Sequence, residues 1–206
     1  MRRLTQIQSA ACALAALALA ACAGHDSRLT SSATRYLGTD GSIITKEREG
    51  NIAESKSYWD GDGVPGAPSI VINVPRQTAS FYKGDKLVGV SAISSGRDGH
   101  ETPSGNYKII EKKTDHRSNL YGDYVDASDT VLVKGVAVKT DPMPAGAHFV
   151  GAKMPYWMRL TNGGVGMHQG FLPGVPDSRG CIRLPERMAS AFFQHAPLGT
   201  PVQIVN

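Results

Sequence analysis

Residues 166–185 read Gly166-Met167-His168-Gln169-Gly170-Phe171-Leu172-Pro173-Gly174-Val175-Pro176-Asp177-Ser178-Arg179-Gly180-Cys181-Ile182-Arg183-Leu184-Pro185. The spacing suits two adjacent strand ends joined by a Pro- and Gly-rich loop over 171–177, because Pro and Gly punctuate regular structure. His168 sits at the first strand end, and Cys181 follows thirteen positions later. A free thiol has a pKa of ~8.5, so only a small fraction is thiolate at neutral pH. Two neighbours could raise that fraction. His168 could take the proton or form an ion pair with the sulfur. Arg179 and Arg183 bracket the cysteine two positions to each side, and nearby cations favour thiolate. Gly180 permits a tight turn that would leave the Gly180 and Cys181 N–H groups free to point at one spot. Two such donors are what a tetrahedral oxyanion requires. Ser178 is either a turn residue or a support for the histidine. Alone, Cys181 would read as a small buried hydrophobe. With His168 and the glycine turn, the stretch supplies nucleophile, base and oxyanion hole for acyl transfer.

The residue order discriminates further. Papain-like enzymes place the cysteine first and the histidine far downstream. Sortase-like enzymes place the histidine first, but with a much wider spacing. Met167-His168-Gln169-Gly170 and Ser178-Arg179-Gly180-Cys181-Ile182-Arg183 instead resemble the signature of YkuD-type L,D-transpeptidases. Thr102-Pro103-x-Gly105, His116-Arg117-Ser118-Asn119-x-Tyr121-Gly122 and Met154-Pro155-Tyr156-Trp157-Met158-Arg159 also match that family, so the resemblance spans about residues 68–206. One position departs from it. Many members have a second histidine two residues before the cysteine, where this chain has Arg179. Arginine does not deprotonate in proteins, so His168 is left as the candidate base.

The resemblance implies a YkuD-like, mostly β sandwich or barrel with one or two short helices. It implies that Cys181 attacks a peptidoglycan tetrapeptide stem between the diamino acid at position three and the terminal D-Ala. D-Ala leaves with a proton from His168, and an amine then takes the acyl group from the thioester. Arg183 is expected to bind a stem carboxylate or brace the loop, Arg179 to steer an anionic stem, and Ser178, Tyr156, Trp157 and His148 to line the groove. Carbapenem β-lactams are the expected inhibitors, and no cofactor is implied. A hydrolase on the same scaffold and a non-catalytic wall-binding lipoprotein remain as alternatives.

The rest of this region reads as β. Ile70, Ile72 and Val74 alternate with Val71 and Asn73, the period-2 pattern of a half-buried strand. Ser80–Tyr82 and Leu87–Val90 flank Lys83-Gly84-Asp85-Lys86, a hairpin pattern. Residues 131–133, 136–138, 157–160 and 202–205 are further short apolar runs. One helix is expected after Pro185, where Met188 and Phe192, and Ala189 and Phe193, recur four apart.

The N-terminal part reads differently. Arg2 and Arg3 precede an apolar run over 10–21, shorter than the ~20 residues a comfortable membrane span needs. Leu19-Ala20-Ala21-Cys22 resembles the lipobox of bacterial lipoproteins, so residues 1–21 are expected to be a signal peptide. Cys22 is then expected to be lipidated, placing the protein on the periplasmic face of a membrane, the outer membrane by the Ala23 that follows. Residues 22–67 are expected to form a flexible tether, ending in Asp60-Gly61-Asp62-Gly63-Val64-Pro65-Gly66. That stretch lacks the closing carboxylate of a calcium loop. Of the three cysteines, Cys12 would be discarded and Cys22 acylated, leaving Cys181 free. The net charge of +4, with 22 basic and 18 acidic residues, shows no basic stripe, which argues against nucleic acid. The six histidines show no metal-ligand spacing.

Overall fold

The computed structural model describes residues 57–206. Thirteen strands and one helix in this region build three sheets. The first sheet holds β1 (Tyr58–Trp59), β2 (Pro68–Asn73), β3 (Thr78–Lys83), β4 (Lys86–Ala92), β5 (Gly105–Lys108) and β13 (Pro201–Val205), in the order β1-β4-β3-β2-β13-β5. The second holds β6 (Glu111–Lys113), β10 (Trp157–Arg159), β11 (Gly166–Gln169) and β12 (Ile182–Leu184), in the order β12-β11-β10-β6. The third holds β7 (Arg117–Val125), β8 (Val131–Ala137) and β9 (His148–Lys153), with β7 in the centre. The expected mostly β architecture is what forms.

The strand alternation decides what is inside. Ile70 and Ile72 of β2, Ala79 and Phe81 of β3, and Val202 and Ile204 of β13 point into one core and are almost fully buried. The predicted hairpin forms, with Lys83 opposite Lys86 and Gly84 in a left-handed conformation at the turn (φ 59°). The helix, α1 (Glu186–His195), starts after Pro185. The proline has extended ψ and needs no donor there. Met188, Ala189 and Phe192 face the core, and the acidic Glu186 lies in the first turn, where the helix dipole favours it. Phe81 and Phe192 meet edge to face at 5.0 Å, which ties the helix to the first sheet.

The tether expected over 22–67 ends earlier than its composition suggests. Its residues up to 56, the expected signal peptide and Cys22 lie outside the described residues. Ser57 onward is part of the fold: β1 pairs with β4, Trp59 opposite Gly89. Trp59 packs on Phe81 at 5.1 Å and on Phe192 at 6.1 Å. Gly89 makes this possible, because a Cβ there would sit 2.7 Å from the indole. One aromatic ring on a core surface outweighs a run of turn-forming residues.

The segment over 116–121 is for the most part strand. β7 is nine residues long and forms one wall of the site described next.

Candidate active site

β11 and β12 are parallel neighbours, with Met167 opposite Ile182 and His168 opposite Arg183. Parallel neighbours need a long crossover of about a dozen residues, and the segment over 170–181 supplies it. The pleat then divides the side chains. Met167, Ile182 and Leu184 are fully buried on the core face. His168, Cys181 and Arg183 share the other face and open on a cavity of about 500 Å³. The three-stranded sheet lines the cavity too, through Asn119, Tyr121 and Lys153, and His116, just ahead of β7, borders it as well.

His168 is held in one tautomer. Its Nδ1 lies 2.6 Å from the backbone carbonyl of Gln169. A carbonyl only accepts, so Nδ1 carries the proton and Nε2 keeps the free lone pair. The residue is 7 % exposed. Burial pushes its pKa down from 6.5 to about 4, Arg183 and His116 push the same way, and the Gln169 carbonyl partly opposes them. At neutral pH His168 is an uncharged acceptor.

Cys181 is half-buried and free. Burial raises its thiol above the usual value, against the opposing pull of the Gly166 N–H, Arg183 and Arg159. The thiol donates to the Gly164 carbonyl at 3.6 Å. The expectation that flanking arginines favour the thiolate is therefore corrected: loss of hydration outweighs their charge. Arg179 contributes little because it points away. Its Nη2 donates to the Gly135 carbonyl at 2.7 Å, and its guanidinium lies 4.5 Å from the Tyr121 ring centre. Arg179 thus bridges the cysteine loop to the opposite sheet. Burial thus favours the neutral form of each group, which opposes a preformed ion pair.

The oxyanion hole expected from two amides is reduced to one candidate. The Gly180 N–H donates to Ser178 Oγ at 3.1 Å, so it is already used. Ser178 Oγ donates in turn to the Cys181 carbonyl at 2.5 Å. Among the described residues, the Cys181 N–H has no acceptor. Gly180 still matters for its backbone: its φ of 108° is a conformation that L side chains rarely adopt. Ser178 borders the cavity, but its hydroxyl is consumed by the turn, so a substrate-binding role for it is not supported.

The other expected site residues divide. Arg183 borders the cavity and braces the loop: Nη1 pairs with Asp177 Oδ2 at 2.8 Å and reaches the Phe171 carbonyl at 3.4 Å. Its guanidinium therefore meets a carboxylate within the protein. Trp157 is the cavity floor, 1 % exposed, stacked on His116 at 4.8 Å and tilted toward His168 at 6.1 Å. Tyr156 is not at the cavity. It lies just before β10 in a left-handed conformation (φ 56°), and its ring packs on Phe193 of α1 at 5.8 Å. His148 is also elsewhere, beside Asp129 at 3.5 Å. Sequence reading gave no role to the Gly164 carbonyl, the Gly166 N–H or the Gln169 carbonyl, since backbone groups have no residue-type signature. Nor did it give a role to the Thr102 hydroxyl. In the fold Thr102 is 2 % exposed and touches the cysteine loop.

The model of the YkuD family, the L,D-transpeptidase catalytic domain, matches residues 67–204. The chain belongs to the YkuD family. It is 31% identical over 143 residues to the probable L,D-transpeptidase ErfK/SrfK of Salmonella typhimurium, which covers 66% of this chain and 44% of that protein. It is 27% identical over 143 residues to the probable L,D-transpeptidase YbiS of Escherichia coli K12, with the same coverage. The chain thus spans less than half the length of these curated YkuD relatives. Among solved structures, an L,D-transpeptidase from Mycobacterium smegmatis aligns with a TM-score of 0.51 at 17% identity, over 68% of this chain and 59% of that one. One from Stackebrandtia nassauensis aligns with a TM-score of 0.50 at 18% identity, over 80% and 68%. These solved YkuD structures share the fold.

Proposed function

We propose that this chain is a cysteine-dependent peptidoglycan L,D-transpeptidase, with Cys181 as nucleophile and His168 as general base and acid. The observation that supports this best is that Cys181 and a tautomer-locked His168 border the same cavity of a YkuD domain. The thiol proton passes to His168 Nε2 as the sulfur attacks the carbonyl between the third stem residue and D-Ala. A C–S bond forms, and the carbonyl oxygen becomes an oxyanion facing the Cys181 N–H. The oxyanion collapses, the C–N bond to D-Ala breaks, and His168 returns its proton to the leaving amine. An acceptor amine then attacks the thioester and gives its proton to His168. The acyl group moves to the amine, and Cys181 leaves as the thiol.

Burial of both groups suits this sequence. A neutral imidazole is ready to accept, and a neutral thiol has a proton to give. The lipid anchor belongs to the same proposal: the Leu19-Ala20-Ala21-Cys22 stretch would hold the domain at a membrane beside the wall it modifies.

A structural neighbour, LdtMt1, is known in complex with imipenem, and acylation of Cys181 by imipenem is expected of this chain. Intact mass after incubation with imipenem should show one covalent adduct on wild type and none on Cys181→Ala. An equal adduct on both, or none on wild type, contradicts the nucleophile assignment.

A further inference from the structure

The peptide unit between Gly180 and Cys181 has two ends. One is the Cys181 N–H, the amide left without an acceptor among the described residues. The other is the Gly180 carbonyl, which accepts a hydrogen bond from Thr102 Oγ1 at 2.9 Å. Thr102 Oγ1 accepts in turn from the Gly96 N–H at 2.8 Å. A hydroxyl has one proton to donate, so this pair of contacts fixes the direction of both bonds. Both contacts are buried. Gly96 is held against the 100–102 segment closely: a Cβ there would sit 2.0 Å from the His100 carbonyl and 2.7 Å from the Thr102 N.

The peptide unit is planar and trans, so its C=O and N–H point in opposite directions. Fixing one end fixes the other. Gly180 itself, at φ 108°, does not restrain the plane sterically as a residue with a Cβ would. Ser178 holds the peptide units on either side, through the Gly180 N–H and the Cys181 carbonyl. Among the described residues, Thr102 alone grips the one between them.

We propose that Thr102 is a positioning residue that aims the Cys181 N–H at the developing oxyanion. The inference rests on the acyl-transfer reading of Cys181 but not on the identity of the acyl donor. Losing the hydroxyl frees the Gly180–Cys181 peptide to tilt. The donor is then misaligned when the tetrahedral intermediate forms, while the thiol stays in place.

The test compares a reaction that makes an oxyanion with one that does not. Acylation by p-nitrophenyl acetate passes through a tetrahedral oxyanion; alkylation by iodoacetamide displaces iodide and does not. Thr102→Val should slow acylation by about 10–100-fold, somewhat less than the loss of a whole oxyanion donor, and leave alkylation within about twofold of wild type. Thr102→Ser keeps the hydroxyl and should acylate within about threefold of wild type. If Thr102→Val does not fold, Thr102→Ala has the same expected outcome. Unchanged acylation, an equal fall in acylation and alkylation, or no recovery in Thr102→Ser overturns the proposal. If wild type ignores imipenem and wall stems while the ester shows the predicted ratio, the peptidoglycan reading fails and the positioning role stands.

Discussion

His168 shows how burial, rather than a charged partner, sets the chemistry of a single residue. Unfolded, its imidazole takes a proton near pH 6.5; folded, only near 4. The unfolded chain therefore binds more protons between these values. The stability that His168 contributes is complete above pH 6.5 and is lost as the pH falls to 4. The span corresponds to about 3 kcal/mol. His168→Gln should flatten that part of the profile in urea titrations; His116, depressed in the same direction, leaves a smaller residual slope. The same shift governs activity. The acid limb of kcat/KM should fall near pH 4 rather than near 6.5, since His168 must be neutral to accept the thiol proton. A limb near 6.5 would mean that His168 is hydrated and not buried in solution.

At the scale of elements, the site depends on the parallel β11–β12 pair and on the separate sheet that faces it. The three-stranded sheet is held at close quarters by glycine. A Cβ on Gly151 of β9 would sit 1.9 Å from the Ser118 carbonyl of β7. Gly151→Ala should therefore push these strands apart and cost about 1–3 kcal/mol, the usual range for overpacking, read as a lower urea midpoint. It should also slow acylation, because β7 presents Asn119 and Tyr121 to the cavity. An unchanged midpoint would show that the strands are looser than drawn. The sequence made the β11 and β12 ends legible, because the His168-to-Cys181 spacing and the Pro-Gly loop between them are local. It hid β7. That strand has bulged register with both neighbours, and its alternation is blurred by Arg117, Ser118, Asn119 and Gly122. The different placements of Tyr156 and Trp157 were equally hidden, because the left-handed backbone at Tyr156, just ahead of β10, has no residue-type signal. Ser178 reads as a turn residue and its hydroxyl bonds are local; the Thr102 hydroxyl was hidden, because its partners Gly96 and Gly180 lie in segments that only the fold brings together.

At the scale of the molecule, the folded unit includes Trp59, far from the cavity and ahead of the family match at residue 67. It rests on Phe81, Phe192 and His195 and donates to Asp62 at 2.9 Å. Trp59→Ala should destabilise the domain by about 2–4 kcal/mol, toward the lower part of the range for large aromatics because the ring is only partly buried. Imipenem acylation at a temperature where the variant remains folded should stay within about twofold. A variant as stable as wild type would return residues 57–67 to the tether.

The central claim is that Cys181 passes a stem acyl group to an amine. The direct measurement is the product spectrum from purified disaccharide-tetrapeptides, with free D-Ala quantified alongside. The account predicts one D-Ala released for each cross-linked dimer joined between two third-position residues, and no reaction with Cys181→Ala. Tripeptide as the sole product, or product formed equally by Cys181→Ala, would contradict it.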